Sequence, residues 1–220
     1  MSVNIGFFGC ESYDIQHYLS RVLCCLGKKV ILLDGNRDGA LKSSIPLPET
    51  FPEDEVFDYR GVDYAPVTAD IDESYYDCVF FDLSQDMLET MEPGDIGDLF
   101  HTFILVSDLQ THHMNQMIQF IKSNLIDTSR IFLIIRDLSG NRKKRMIQRM
   151  TDLPADQIYY LQVDQTSERQ RLSCQWNHVF SFRKIDVDLR SALQDILIKR
   201  CSIEENKEFK TAYKRAERGK

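Results

Sequence analysis

The sequence is poor in residues that interrupt regular structure. Six prolines and ten glycines in 220 residues are too few for a disordered or fibrous chain. No run reaches the ~20 apolar residues of a membrane span. The six cysteines (10, 24, 25, 78, 174 and 201) show no Cys-x-x-Cys pair, no zinc-type Cys/His spacing and no short secreted framework. Reduced, mostly buried thiols in a cytosolic protein are therefore expected. The first strand lacks the basic region and apolar run of a signal peptide. No Gly-x-Ser-x-Gly turn exists to present a serine nucleophile. What remains, at 43% hydrophobic and 28% charged residues, is an ordinary globular composition. A single domain of this length buries roughly 70% of its unfolded surface.

Positive charge is also scarce. The net charge is −7, and because residues 207–220 carry +4, residues 1–206 carry −11. An acidic body with a basic end argues against wholesale nucleic-acid binding.

Short apolar runs alternate with helix-period segments. Residues 3–9 read as a strand, and Ile15, Tyr18, Leu19, Val22, Leu23 and Leu26 share one helical face. Gly27 stops that helix, and 30–33 reads as the next strand. Residues 35–75, with prolines at 46, 48, 52 and 66, predict a long irregular connection holding one short strand. Strands at 78–81, 103–106, 131–135 and 158–162 follow, with helices at 110–124, 141–150 and from about Val187. Strands separated by helices imply an α/β fold, a mostly parallel sheet with helices on both faces. Residues 1–203 are read as one domain and 204–220 as a basic C-terminal helix or tail.

Ligands of such sheets bind at the carboxyl ends of strands, which here carry Gly9, Asp34, Asp82, Ser107-Asp108 and Asp137. These acids suit a magnesium ion, but helix N-capping is the reading taken for them. The first strand-to-helix turn, Gly9-Cys10-Glu11-Ser12-Tyr13-Asp14, has one glycine, no lysine and two carboxylates. A phosphate loop needs a nest of glycine amides, a lysine and a Ser/Thr hydroxyl for magnesium.

Five segments in order resemble the MinD/ParA group of deviant-Walker P-loop ATPases: GKKVILLD (27–34), YDCVFFDLS (76–84), FHTFILVSDLQTHHMNQMIQFIK (100–122), RIFLIIRDLSG (130–140) and IYYLQVDQTSERQRLSCQ (158–175). The resemblance implies a three-layer P-loop NTPase-like fold, with Asp34 and Asp82 at the family's acids and Ser12 standing in for its magnesium-binding hydroxyl. The family's two loop lysines have no counterpart, and the turn is four or five residues shorter. Ser12 is also read as a plain N-cap. The three are thus vestigial candidates, no catalytic residue or metal is expected, and ATP with magnesium enters only under an alternative reading.

Bland readings are taken for several other residues. His112 and His113 sit near Asp108, yet no third ligand has suitable spacing, so they are read as exposed polar residues. His17 is read as a partly buried, hydrogen-bonded side chain, and Cys10 as a structural thiol. The basic run of Arg142, Lys143, Lys144, Arg145 and Arg149 is a candidate partner surface. In 205–220 the stripe Phe209, Ala212, Tyr213 and Ala216 is a faint version of the amphipathic membrane-targeting helix of MinD-type relatives. Phe209 and Tyr213 are accordingly partner-contact candidates, with weak membrane-surface contact one outcome.

The resulting expectation is a cytoplasmic, non-catalytic MinD/ParA-like adaptor, peripheral at the inner membrane face if its tail attaches. It would bind a protein partner in a bacterial pilus, secretion or division machine. It would bind no nucleic acid, and any homodimer would form without ATP. The alternatives are an ATPase with a divergent loop and a small-metabolite enzyme using the strand-end crevice.

Overall fold

The structure, a computed structural model, describes residues 2–36, 39–48, 55–123, 125–136, 141–178, 181–201, 203 and 206–218. Among them run β1 (Val3–Gly9), α1 (Tyr13–Cys25), β2 (Val30–Asp34), α2 (Ala40–Ser43), β3 (Phe57–Tyr59), β4 (Val62–Pro66), β5 (Cys78–Leu83), α3 (Gln85–Thr90) and α4 (Pro93–Leu99). They continue with β6 (Thr102–Ser107), α5 (Thr111–Lys122), β7 (Ile131–Arg136), α6 (Asn141–Thr151), β8 (Ile158–Leu161), α7 (Gln165–Asn177), α8 (Val187–Arg200) and α9 (Asn206–Glu217). The strands form one sheet in the order β3-β4-β2-β5-β1-β6-β7-β8. Every pairing is parallel except β3 with β4.

Side chains alternate across each strand, so the apolar runs feed two cores. Ile5, Phe7, Leu32, Phe80, Ile104 and Phe132 pack on one face with α1, α8 and α9. Phe8, Ile31, Phe81, Phe103, Leu105 and Leu133 pack on the other, with α3, α4, α5 and α6. Burial on both faces is why these strands read as continuous hydrophobic stretches.

The expected irregular connection over 35–75 is corrected. It contains α2 and a hairpin, β3–β4, whose inner strand extends the sheet beside β2. Tyr59 pairs with Val62, leaving Arg60 and Gly61 as a two-residue turn with φ 59° and 78°. Two positive φ values give the primed twist that closes hairpins. Apolar residues at 57, 59, 62 and 64 flank that turn.

The C-terminal segment is also corrected. In α9, Phe209, Ala212, Tyr213 and Ala216 are all buried, facing α1. The Tyr213 hydroxyl donates to the Phe182 carbonyl at 2.8 Å, and Arg215 donates to the Cys25 carbonyl at the end of α1 at 3.2 Å. The stripe on which membrane or partner contact was expected is thus part of the core, and Phe209 and Tyr213 are closed to a partner. Lys207, Lys210 and Lys214 occupy the outer, exposed face. No helix among the described residues is long and apolar enough to cross a membrane.

Candidate functional site

β5 and β6 flank β1 on opposite sides. The chain leaves β1 toward β2 on one side and later reaches β6 on the other. This reversal puts the crevice of an open α/β sheet at the carboxyl end of β1. Only Cys10, Glu11 and Ser12 separate β1 from α1. Gly9 makes the turn possible: its φ is +116°, and a Cβ there would lie 2.2 Å from the Val106 carbonyl oxygen.

Ser12 occupies the N-cap position of α1 but makes no side-chain cap hydrogen bond, which corrects its reading as a plain cap. Its hydroxyl donates to Asp82 Oδ1 at 3.3 Å. Gln16, one turn along α1, donates through Nε2 to both Ser12 Oγ and Asp82 Oδ1, each at 2.9 Å. Asp34 and Asp82 are register partners on β2 and β5. Asp34 takes backbone N–H bonds on both oxygens, from Asn36 at 3.1 Å and Lys42 at 3.0 Å, so it ties the turn to α2, whose N-cap position is Gly39. Gly35 allows this close approach, since a Cβ there would lie 2.8 Å from the Asp82 carbonyl oxygen.

Burial, and then the charge of Asp34, push the Asp82 carboxyl up to about 7 against the hydrogen bonds from Gln16 and Ser12. Asp34 is also raised, by burial, with its two backbone donors opposing.

The two acids that follow β1, Glu11 and Asp14, are claimed by arginines. Asp14 accepts from Arg136 Nη2 at 2.6 Å, and both side chains are largely buried. Glu11 accepts from Arg171 Nη1 at 2.5 Å, while Glu168 holds the same guanidinium through Nε at 3.2 Å and Nη2 at 2.7 Å. The Tyr13 hydroxyl donates to the Arg171 carbonyl at 3.1 Å, tying α1 to α7. The cavity beside Arg136 and Arg171 measures about 40 Å³, against roughly 300–1,000 Å³ for small-molecule pockets.

His17 is fully buried, with Nδ1 2.8 Å from the Tyr64 hydroxyl and Nε2 2.5 Å from Ser44 Oγ. Burial lowers its pKa to about 3, so it is a neutral structural group. Burial likewise raises the Cys10 thiol to about 11. Asp108 accepts from the Gln110 N–H and from His113 Nδ1, each at 2.8 Å. Burial alone would raise Asp108, but these bonds outweigh it and hold the carboxyl below its ordinary range. Lys144, Arg145 and Arg149 lie exposed on α6, with Met146 half-exposed among them. The side chains of Arg142 and Lys143, and all of Asp137, fall outside the described residues.

Sequence reasoning placed Ser12, Asp34 and Asp82 at one rim, and the fold brings them together. It missed Gln16, Arg136 and Arg171. Their only signal was an excess of acids in the turn with no local cation to balance them.

A three-layer sandwich with its crevice at this rim has P-loop NTPase-like architecture. Solved structures give it a narrower description. The fold is similar to a ParA family ATPase from Chlorobium tepidum (15% identity, TM-score 0.59, covering 90% of this chain and 99% of that one). It is similar to a putative plasmid partition protein from Borrelia burgdorferi bound to AMPPNP (13%, 0.57, 90% and 98%). It is also similar to a chain of the MinC:MinD cell division protein complex of Aquifex aeolicus (12%, 0.54, 98% and 96%). The chain therefore has the MinD/ParA-like fold. No family model and no curated protein matches the sequence.

Proposed function

We propose that this chain is a non-catalytic protein on the MinD/ParA fold, a cytoplasmic adaptor or regulatory scaffold that binds a protein partner in a bacterial pilus, secretion or division machine. The observation that carries this reading is that the chain's own charges fill the segment after β1, which the family resemblance equates with the phosphate loop. Glu11 and Asp14 would repel a triphosphate there, and Arg171 and Arg136 are already paired with them. Separating a buried pair such as Asp14–Arg136 costs about 3–5 kcal/mol, and the turn supplies no lysine in return. Beside those arginines the cavity of about 40 Å³ leaves no room for a small metabolite.

One contact favours a second reading, a nucleotide-binding protein with a divergent loop. Ser12 and Asp82, the hydroxyl and acid that the family resemblance associates with magnesium, touch directly. Against it, the oxygens of Asp34 hold backbone amides.

Among similar folds, one structure is a complex between two cell division proteins and another is a ParA bound to nonspecific DNA. An acidic body favours a protein partner here. The proposed contact is the exposed basic face of α6. Affinity capture with the full chain, beside a Lys144→Glu/Arg145→Glu/Arg149→Glu variant, tests this. A partner recovered by the native chain and reduced at least about tenfold by charge reversal is expected, with melting unchanged because exposed charges contribute little to stability. Equal recovery by both, or no partner for either, would reject it.

A further inference from the structure

On the β6 side of β1, away from Asp82, three side chains of metal-binding type converge. Cys10 follows β1, Asp108 follows β6, and His113 lies in the first turn of α5. The sulfur, a carboxylate oxygen and an imidazole nitrogen all lie within 4.8 Å of one another. We propose that Cys10, Asp108 and His113 form a binding site for a zinc-class divalent cation, with the fourth coordination position open to solvent.

The donor set selects the ion. Magnesium and calcium take oxygen ligands, whereas a thiolate with an imidazole suits zinc and its neighbours. Zinc–ligand bonds of about 2.0–2.3 Å place tetrahedral ligands roughly 3.4 Å apart, so the His113–Asp108 pair at 2.8 Å must open slightly while separations of up to 4.8 Å in the cluster close. All three side chains are half-buried, leaving a path from solvent.

The backbone fixes the arrangement. The Cys10 N–H donates to the Val106 carbonyl at 2.8 Å, and the left-handed Gly9 brings β1 flush against β6. Gln110 orients the carboxylate, its backbone N–H donating to Asp108 Oδ1 at 2.8 Å and its Nε2 to Oδ2 at 2.9 Å. Such an outer partner typically changes metal affinity 10–100-fold. Coordination replaces the His113–Asp108 hydrogen bond and releases the thiol proton. Ligand spacing in sequence gave no hint of a third donor, because Cys10 enters from a distant strand.

The full-length protein, stripped with chelator and then titrated with Co²⁺ and displaced by Zn²⁺, tests the site. One equivalent of Co²⁺ should produce a near-ultraviolet sulfur-to-cobalt charge-transfer band that Zn²⁺ abolishes. Cys10→Ser should remove the band while Cys24→Ser retains it. His113→Gln and Gln110→Ala leave every cysteine in place, and each should weaken Co²⁺ binding at least about tenfold. They decide the matter if Cys10→Ser does not fold. No charge-transfer band in the native chain, a band that survives Cys10→Ser, or affinity indifferent to His113→Gln would overturn the proposal.

Discussion

Asp82 sits at the end of β5, where the sheet removes it from water and sets Asp34 across from it. Its carboxyl rises from the ordinary 3.8 to about 7. Between about pH 4 and 7 the folded chain retains a proton that the unfolded chain releases, so this residue makes stability fall as pH rises through that window. His17, lowered from 6.5 to about 3, has the opposite slope, because there the unfolded chain holds the extra proton. The two partly cancel, so a variant difference is more telling than the native profile. Asp82→Asn keeps an acceptor for Gln16 and Ser12 while removing the charge. It should raise the melting temperature at pH 8 by several degrees, corresponding to roughly 2–4 kcal/mol, and have little effect at pH 4. A melting temperature unchanged or lowered at pH 8 would mean that the carboxylate is held ionised. At Asp14, the expected behaviour is coupling. Arg136→Met should cost about 3–5 kcal/mol by stranding a buried carboxylate, and adding Asp14→Asn should recover most of that loss. Additive losses in chemical denaturation would refute the pairing.

Among the elements, α9 most changes the picture drawn from sequence. Two aromatics and two alanines look too small a stripe to hold a helix, yet each is buried. Tyr213 also packs edge-on against Phe182, which in turn packs edge-on against Tyr18 of α1. Phe209→Ala should therefore cost about 3–5 kcal/mol, a drop in melting temperature on the order of 10 °C for a domain of this size. An unchanged melting temperature would mean that α9 is not docked. The central strands and the helices α1, α5, α6 and α8 were legible because burial on both faces, or on one helical stripe, leaves a period in the sequence; α7, whose buried residue is Cys174, leaves none and was indicated by the family resemblance alone. The hairpin at Arg60-Gly61 was not, because nearby prolines masked four well-spaced apolar residues. The helices α3 and α4 likewise escaped notice: each is less than two full turns, and their apolar anchors Leu88 and Ile96 make no period. Of the site, the strand-end acids were readable from their position after apolar runs. Arg136, Arg171 and the meeting of Cys10 with His113 were not, since these contacts join distant segments and follow only from the order of strands.

At the scale of the whole molecule, a MinD/ParA-like sheet carries a three-residue turn after β1, and Glu11 of that turn and Asp14 at the start of α1 pair with arginines from α7 and β7. The sheet still positions a crevice at its carboxyl rim, but the side chains there are hydrogen-bonded and ion-paired to one another. Thermal melting with ATP, ADP or GTP at millimolar concentration, with and without magnesium, tests whether nucleotide still enters. Occupancy at about 100 times the dissociation constant would stabilise the fold by about 2.7 kcal/mol, a shift of several degrees. No shift with any of the three is expected. A magnesium-dependent rise of that size would contradict the proposed non-catalytic reading and make turnover the next quantity to measure.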